Sequence, residues 1–221
     1  MANGRLHLPA SRLIALAVVA GMAAGALGVY VMGSPSGNNA PETAAAGAEA
    51  ACQAKVALAK AAGDAAQGEV AAMLGASPPQ ALSDLAFNAP DGKPMTMADL
   101  SGKTVLMNLW ATWCAPCRHE MPALNQLQKD LGDDTFEVVA VNVDTGDDMK
   151  PKRFLEETNV EALGYYRDNT LGLFNDLKRR GLALGLPVTL LIDGDGCMIA
   201  HMNGPAEWAS DDAKRLIAAV R

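Results

Sequence analysis

The two cysteines of the run Trp113-Cys114-Ala115-Pro116-Cys117 are the residues of this chain best suited to chemistry. Thiols at this spacing can close a small disulfide ring across the first turn of a helix. There the unpaired backbone N–H groups and the macrodipole favour a thiolate on the first sulfur. Such a pair exchanges electrons with other disulfides. A structural zinc site would need a complete tetrahedral ligand set, and the remaining candidates, Cys52, Cys197, His119 and His201, offer no second pair at metal-binding spacing. Covalent haem attachment needs a histidine directly after the second cysteine; Arg118 stands there, and His119 comes one residue too late.

The pair needs a strand to deliver it and a helix to hold it. Val105-Leu106-Met107-Asn108-Leu109-Trp110 is an apolar run of strand length, and residues 117–131 follow a helical pattern. Residues 136–143 form a second apolar run, of the kind expected for a buried parallel strand, so strand, helix and strand imply a right-handed crossover. Further on, the pattern predicts a helix over 149–158 capped by Asp148, a short strand over 165–167, and a helix over 171–180 closed by Gly181. Strands over 188–192 and 197–201 are joined by the turn Asp193-Gly194-Asp195-Gly196, and an amphipathic helix is expected over 208–220. Ahead of the cysteine pair come short strands at 85–87 and 95–97 around Asp91-Gly92, then a helical turn at 98–100. Residues 52–74 are Ala-rich and predict a helix, weakened by Gly63 and Gly68 and ended by Ser77-Pro78-Pro79.

With 50% of its 221 residues hydrophobic, the chain has material for one core with appendages. The charge-free stretch 13–32 is long enough as a helix to cross about 30 Å of hydrocarbon. Arg5 and Arg12 precede it and no Lys or Arg follows until Lys55, so the positive-inside bias keeps the N-terminus cytoplasmic and exports the rest. Ala24-Gly25-Ala26 would serve as a signal-peptide cleavage site, but the stretch exceeds the usual apolar core of about 7 to 15 residues, which favours an uncleaved anchor. The expected organisation is a cytoplasmic N-terminus over 1–12, a membrane anchor over 13–33, a flexible tether over 34–51, an Ala-rich helix and linker over 52–83, and the main domain over 84–221. A net charge of −7 argues against nucleic acid as a partner, and Lys178-Arg179-Arg180 reads as a cationic helix end.

These motifs and their order resemble the thioredoxin superfamily, and within it the exported TlpA branch of membrane-anchored thiol:disulfide interchange proteins. The resemblance rests on Asp91-Gly92-Lys93, Leu100-Ser101-Gly102-Lys103, the run Asn108-Leu109-Trp110-Ala111-Thr112-Trp113-Cys114-Ala115-Pro116-Cys117-Arg118, Glu120-Met121-Pro122, Leu186-Pro187-Val188-Thr189, and the tail Gly204-Pro205-Ala206-Glu207-Trp208-Ala209-Ser210. It covers the chain from about Asp84 onward. It implies an α/β fold with a thioredoxin-like central mixed sheet flanked by helices, the strand after Pro187 antiparallel to its neighbour, and a helix kinked at Pro122. It also implies a single-pass protein of the bacterial inner membrane with its catalytic domain in the periplasm, an oxidising compartment.

Under this resemblance Cys114 is the nucleophile and Cys117 the resolving thiol, with Pro116 stiffening the turn between them. The Leu186–Pro187 bond would be trans on general preference alone. The resemblance implies cis, with Pro187 beside the sulfurs and the Leu186 backbone pairing with an extended substrate. Glu120 follows Cys117 by one helical turn and can accept the resolving thiol's proton if burial raises its pKa; the bland alternative is a helix-start glutamate that complements the dipole. Asn108 stands where thioredoxin carries a buried Asp, which leaves Glu120 as the candidate base. Trp113, Ala115, Pro116 and Leu186 are the expected substrate-facing residues, whereas Trp110 reads as core and His119 and His201 receive no role. The leftover Cys52 and Cys197 point to a structural disulfide that staples the Ala-rich helix to the C-terminal hairpin, the alternative being two unpaired thiols.

The expected function is a membrane-tethered protein-disulfide reductase that keeps cysteines of exported partners reduced for copper or haem site assembly, in cytochrome oxidase or cytochrome biogenesis. It would act as a monomer, draw electrons from an upstream membrane donor, and need no metal or cofactor beyond the Cys114–Cys117 disulfide. A copper-binding chaperone using the same soft sulfurs is the competing class, although no partner histidine is evident. A disulfide-forming oxidase differs only in reduction potential.

Overall fold

The computed structural model describes residues 40–221. The expected cytoplasmic N-terminus and anchor, and the start of the expected tether, lie outside the described residues. Among the described residues no helix is long and apolar enough to cross a membrane. Helices α1 (Ala40–Gln53) and α2 (Val56–Ala65) come first, then a 3-10 turn at Gly68–Val70. Strands β1 (Leu74–Ala81), β2 (Ala86–Asn88) and β3 (Pro94–Thr96) follow, with a second 3-10 turn at Met97–Leu100. The core of the domain is β4 (Thr104–Trp110), α3 (Ala115–Leu131), β5 (Phe136–Asn142), α4 (Met149–Glu157) and β6 (Tyr166–Arg167). Helix α5 (Gly172–Arg179), β7 (Val188–Ile192), β8 (Cys197–Asn203) and α6 (Asp211–Ala218) complete it.

The strands form one mixed sheet in the order β1-β8-β7-β4-β5-β6-β2-β3. Strand β4 lies at its centre, parallel to β5 and antiparallel to β7, and each of its seven residues is buried. A largely apolar strand buried along its whole length must be covered on both faces, and this is the strand that runs into the cysteine pair. Because β5 is parallel to β4 and β7 antiparallel, the end of β4, the loop after β5 and the segment before β7 meet at one end of the sheet.

Three expectations about the N-terminal part need correction. The stretch expected as a tether over 34–51 is helical from Ala40, where alanines favour a helix and Pro41 falls in its first turn. The single helix expected over 52–74 is two helices broken near Lys55 and ended before Gly68, whose φ of +56° leaves the helical region. Pro78 and Pro79, expected only to break a helix, lie inside β1 with a cis Ser77–Pro78 bond. Strand β1 is at the sheet margin; its ladder to β8 pairs Leu74 and Gly75, then resumes at Gln80, so the prolines fall where no donor is required.

Glycines set how closely α2 meets β1. A Cβ on Gly63 would lie 3.3 Å from the Gly75 nitrogen, and one on Gly75 would collide with the Ala59 carbonyl oxygen. Because that obstacle is helix backbone, Gly75→Ala should lower stability by about 1 to 3 kcal/mol. A urea midpoint equal to wild type would show that the contact has slack.

Candidate active site

The turn after β4 is shaped by a buried carboxylate. Asp144 accepts hydrogen bonds from the Thr112 backbone N–H and hydroxyl, both at 2.9 Å, and from the Asn142 side-chain amide at 2.7 Å. The parallel register sets Trp110 beside Asn142, which brings the two loops together. The Arg167 guanidinium donates to the Gly146 and Asp147 carbonyls, each at 2.8 Å, and holds the second loop from below. With the turn fixed, the Cys114 N–H donates to the Ala111 carbonyl at 3.1 Å, and Cys114 becomes the N-cap of α3.

Cys114 and Cys117 are joined as a disulfide with Cα atoms 5.3 Å apart. The Cys117 N–H donates to the Cys114 sulfur at 3.2 Å, the contact that would stabilise a thiolate there together with the helix dipole. Both sulfur residues are buried, Cys117 fully and Cys114 nearly so, which leaves Cys114 the more accessible to a partner. Pro116 occupies the first turn of α3, and the helix continues through Pro122. Trp113 is 65% exposed at the rim of the site, whereas Trp110 is packed in the core.

Glu120 lies on the buried face of α3, one turn beyond Cys117, and is only 3% exposed. Its Oε1 accepts from the Asn108 amide at 2.8 Å; its Oε2 accepts from the Trp208 indole at 3.0 Å and from the Ala206 N–H at 3.2 Å. Asn108 also donates to the Thr189 hydroxyl at 3.0 Å. Burial pushes the Glu120 carboxyl up to about 7, and the three donors only partly offset it. A carboxyl titrating there can take and return a proton under ordinary conditions.

The Leu186–Pro187 bond is cis, and Val188 pairs with Leu109, so Leu186 and Pro187 sit at the sheet end where β4 delivers the cysteines. Pro187 is buried and Leu186 half-buried, with Ala115 and Pro116 exposed. Cys52 and Cys197 form a second disulfide with Cα atoms 5.2 Å apart, and among the described residues no cysteine is free. Lys55 adds an ion pair to Asp195 at 2.5 Å, and the Ala81 N–H donates to the Glu49 carboxylate at 3.0 Å. Among the described residues no group of three or more His, Cys, Asp or Glu side chains is placed to hold a metal ion.

Residues 35–217 match the Redoxin family. The chain belongs to it. Among curated proteins this Redoxin-family chain is 34% identical over 120 residues to thioredoxin-like protein YneN of Bacillus subtilis, covering 53% of this chain and 66% of that one. It is 40% identical over 116 residues to thiol:disulfide interchange protein HelX of Rhodobacter capsulatus, covering 51% of this chain and 59% of the relative. The chain therefore spans less than two thirds of the length of these relatives. A solved thiol:disulfide interchange protein of the thioredoxin family from Chlorobium tepidum matches with a TM-score of 0.53 and 27% identity over 66% of this chain and 99% of that one. The fold is thioredoxin-like.

Several groups of the Redoxin-family site were not evident in the sequence. Asp144 ends an apolar strand run, and a carboxylate at the close of a buried parallel strand was the available signal. Trp208 and Ala206 belong to the tail that carried the resemblance, but their bonds to Glu120 span 88 and 86 residues. Asp148, expected to cap α4, makes no capping hydrogen bond; the Met149 N–H donates instead to Asp147 at 3.2 Å.

Proposed function

We propose that the protein is a thiol:disulfide oxidoreductase that reduces disulfides of exported partner proteins, tethered to the membrane by its charge-free stretch 13–32. The observation that carries this reading is the Cys114–Cys117 disulfide at the start of α3, with the Glu120 carboxyl buried one turn deeper. In the reduced protein the Cys114 thiolate attacks one sulfur of a partner disulfide and expels the other as thiolate. The Cys117 thiol passes its proton to Glu120, and its thiolate attacks the Cys114 sulfur, releasing the second partner thiolate. The partner gains two electrons, the chain is left as the Cys114–Cys117 disulfide, and two protons end on the partner thiols. One of these comes from Cys117 by way of Glu120, the other from solvent. A dithiol donor at the membrane must supply two electrons for each further round. The resemblance to the TlpA branch supports copper-site or cytochrome assembly proteins as partners, and Pro187 with Leu186 as the edge against which a partner segment lies.

Reduced with a small dithiol, the protein should precipitate insulin by cutting its interchain disulfides. The Cys117→Ser variant should stop at a mixed disulfide visible as a covalent adduct on a non-reducing gel. Insulin left intact while dithiol peptides become oxidised would reverse the direction of electron flow. Stoichiometric Cu(I) binding without reduction of any disulfide would replace the enzyme with the chaperone.

A further inference from the structure

A cleft of about 670 Å³ opens directly beside Trp113, between the start of α3 and the loop leading into α4. Phe154 lines it, backed by the buried Trp110 ring 5.6 Å away, and the Arg118 guanidinium lies over the Phe154 ring at 5.9 Å. Stacking restrains an arginine while leaving its planar fork of N–H donors free to meet a carboxylate. Lys150, from the first turn of α4, faces the same cleft. Among the described residues neither Arg118 nor Lys150 forms a salt bridge. The carboxylates of the cleft are already engaged. Asp144 accepts from Thr112 and Asn142, Asp147 accepts from the Met149 N–H, and Glu157 pairs with Arg153 at 2.7 Å. Two cations without a salt bridge, one of them a single helical turn from Cys114, are conspicuous in a chain of net charge −7.

We infer that this cleft receives a carboxylate side chain of the partner, carried on an extended segment about two residues from the partner's reacting cysteine. The spacing follows from geometry. Arg118 is one helical turn beyond Cys114, about 6 Å along the axis, and an extended segment advances about 3.3 Å per residue. The Asp or Glu lies on the Arg118 fork with Lys150 behind it, while the partner cysteine reaches the Cys114 sulfur. The inference rests on the oxidoreductase reading above and adds the chemical character of its substrates.

The test uses two disulfide-bonded peptides identical except for Glu or Lys two residues from the cysteine, plus neutral hydroxyethyl disulfide. The second-order rate of reduction by the full chain is read for each. The acidic peptide should react about tenfold faster than the basic one at low salt, with the ratio collapsing as ionic strength rises. Lys150→Glu and Arg118→Gln should each cut the ratio several-fold, a comparison internal to each variant that cancels changes in folding or in sulfur reactivity. Equal rates for the two peptides in the wild type would overturn the inference, as would a ratio that survives both substitutions. Failure to reduce all three compounds, the neutral one included, would instead overturn the oxidoreductase reading on which it stands.

Discussion

Replacing both Cys52 and Cys197 by alanine should lower the unfolding free energy by about 5 kcal/mol, because the bridge closes a loop across a sequence separation of 145 and the chain-entropy term grows with loop length. That is comparable to the whole stability of many domains, so the variant should be marginal at physiological temperature. The loss should fall first on the N-terminal segment, whose remaining attachments near the bridge include the ion pairs of Lys55 with Asp193 and Asp195 and the Ala81 bond to Glu49. The reactive pair lies at the opposite end of β7 and β8 from Cys197, so insulin reduction should persist wherever the variant stays folded. Urea denaturation followed by tryptophan fluorescence, with turnover measured below the midpoint, checks both halves. A loss under about 1 kcal/mol would mean that the unfolded chain is already compact around this bridge.

Glu120→Gln should remove a pH-dependent term worth about 3 kcal/mol. The folded-state value near 7 lies above the ordinary 4.5, so folding favours the protonated carboxyl. Its stabilisation is fully present below pH 4.5 and is lost as pH rises through 7. The difference in unfolding free energy between wild type and variant should therefore shift by about 3 kcal/mol in the variant's favour between about pH 4 and pH 8. In parallel, the rate at which Cys117 resolves a mixed disulfide should lose its inflection near neutral pH. A stability difference that stays flat across the range would show that Glu120 titrates as an ordinary carboxylate.

What could be read from the chain is what neighbouring residues decide together. The cysteine spacing, the apolar runs of β4 and β5 and the Asp193–Gly196 turn are local statements, and the structure repeats them nearly residue for residue. Strand β1 was missed because Pro78 and Pro79 read correctly as helix breakers, while their tolerance in a strand depends on lying at a sheet margin. Asp144 and Trp208 act on Thr112 and Glu120 through sheet register and long-range packing, which no local pattern encodes. Glu120 was legible as a candidate, but its burial under Ala206 and Trp208 was not. The Leu186–Pro187 cis bond came from family resemblance, against general preference.

The two outermost strands share a property with a bearing on how this protein meets others. Strand β1 is interrupted by Pro78 and Pro79, and β3 has only three residues and begins at Pro94. Each margin thus offers few backbone donors in a row, a poor template for another chain seeking to extend the sheet sideways. Lateral aggregation is discouraged on both flanks, including the one where β8 would otherwise lie bare. A polypeptide that needs main-chain pairing is left with the end of the sheet, where the reactive disulfide waits.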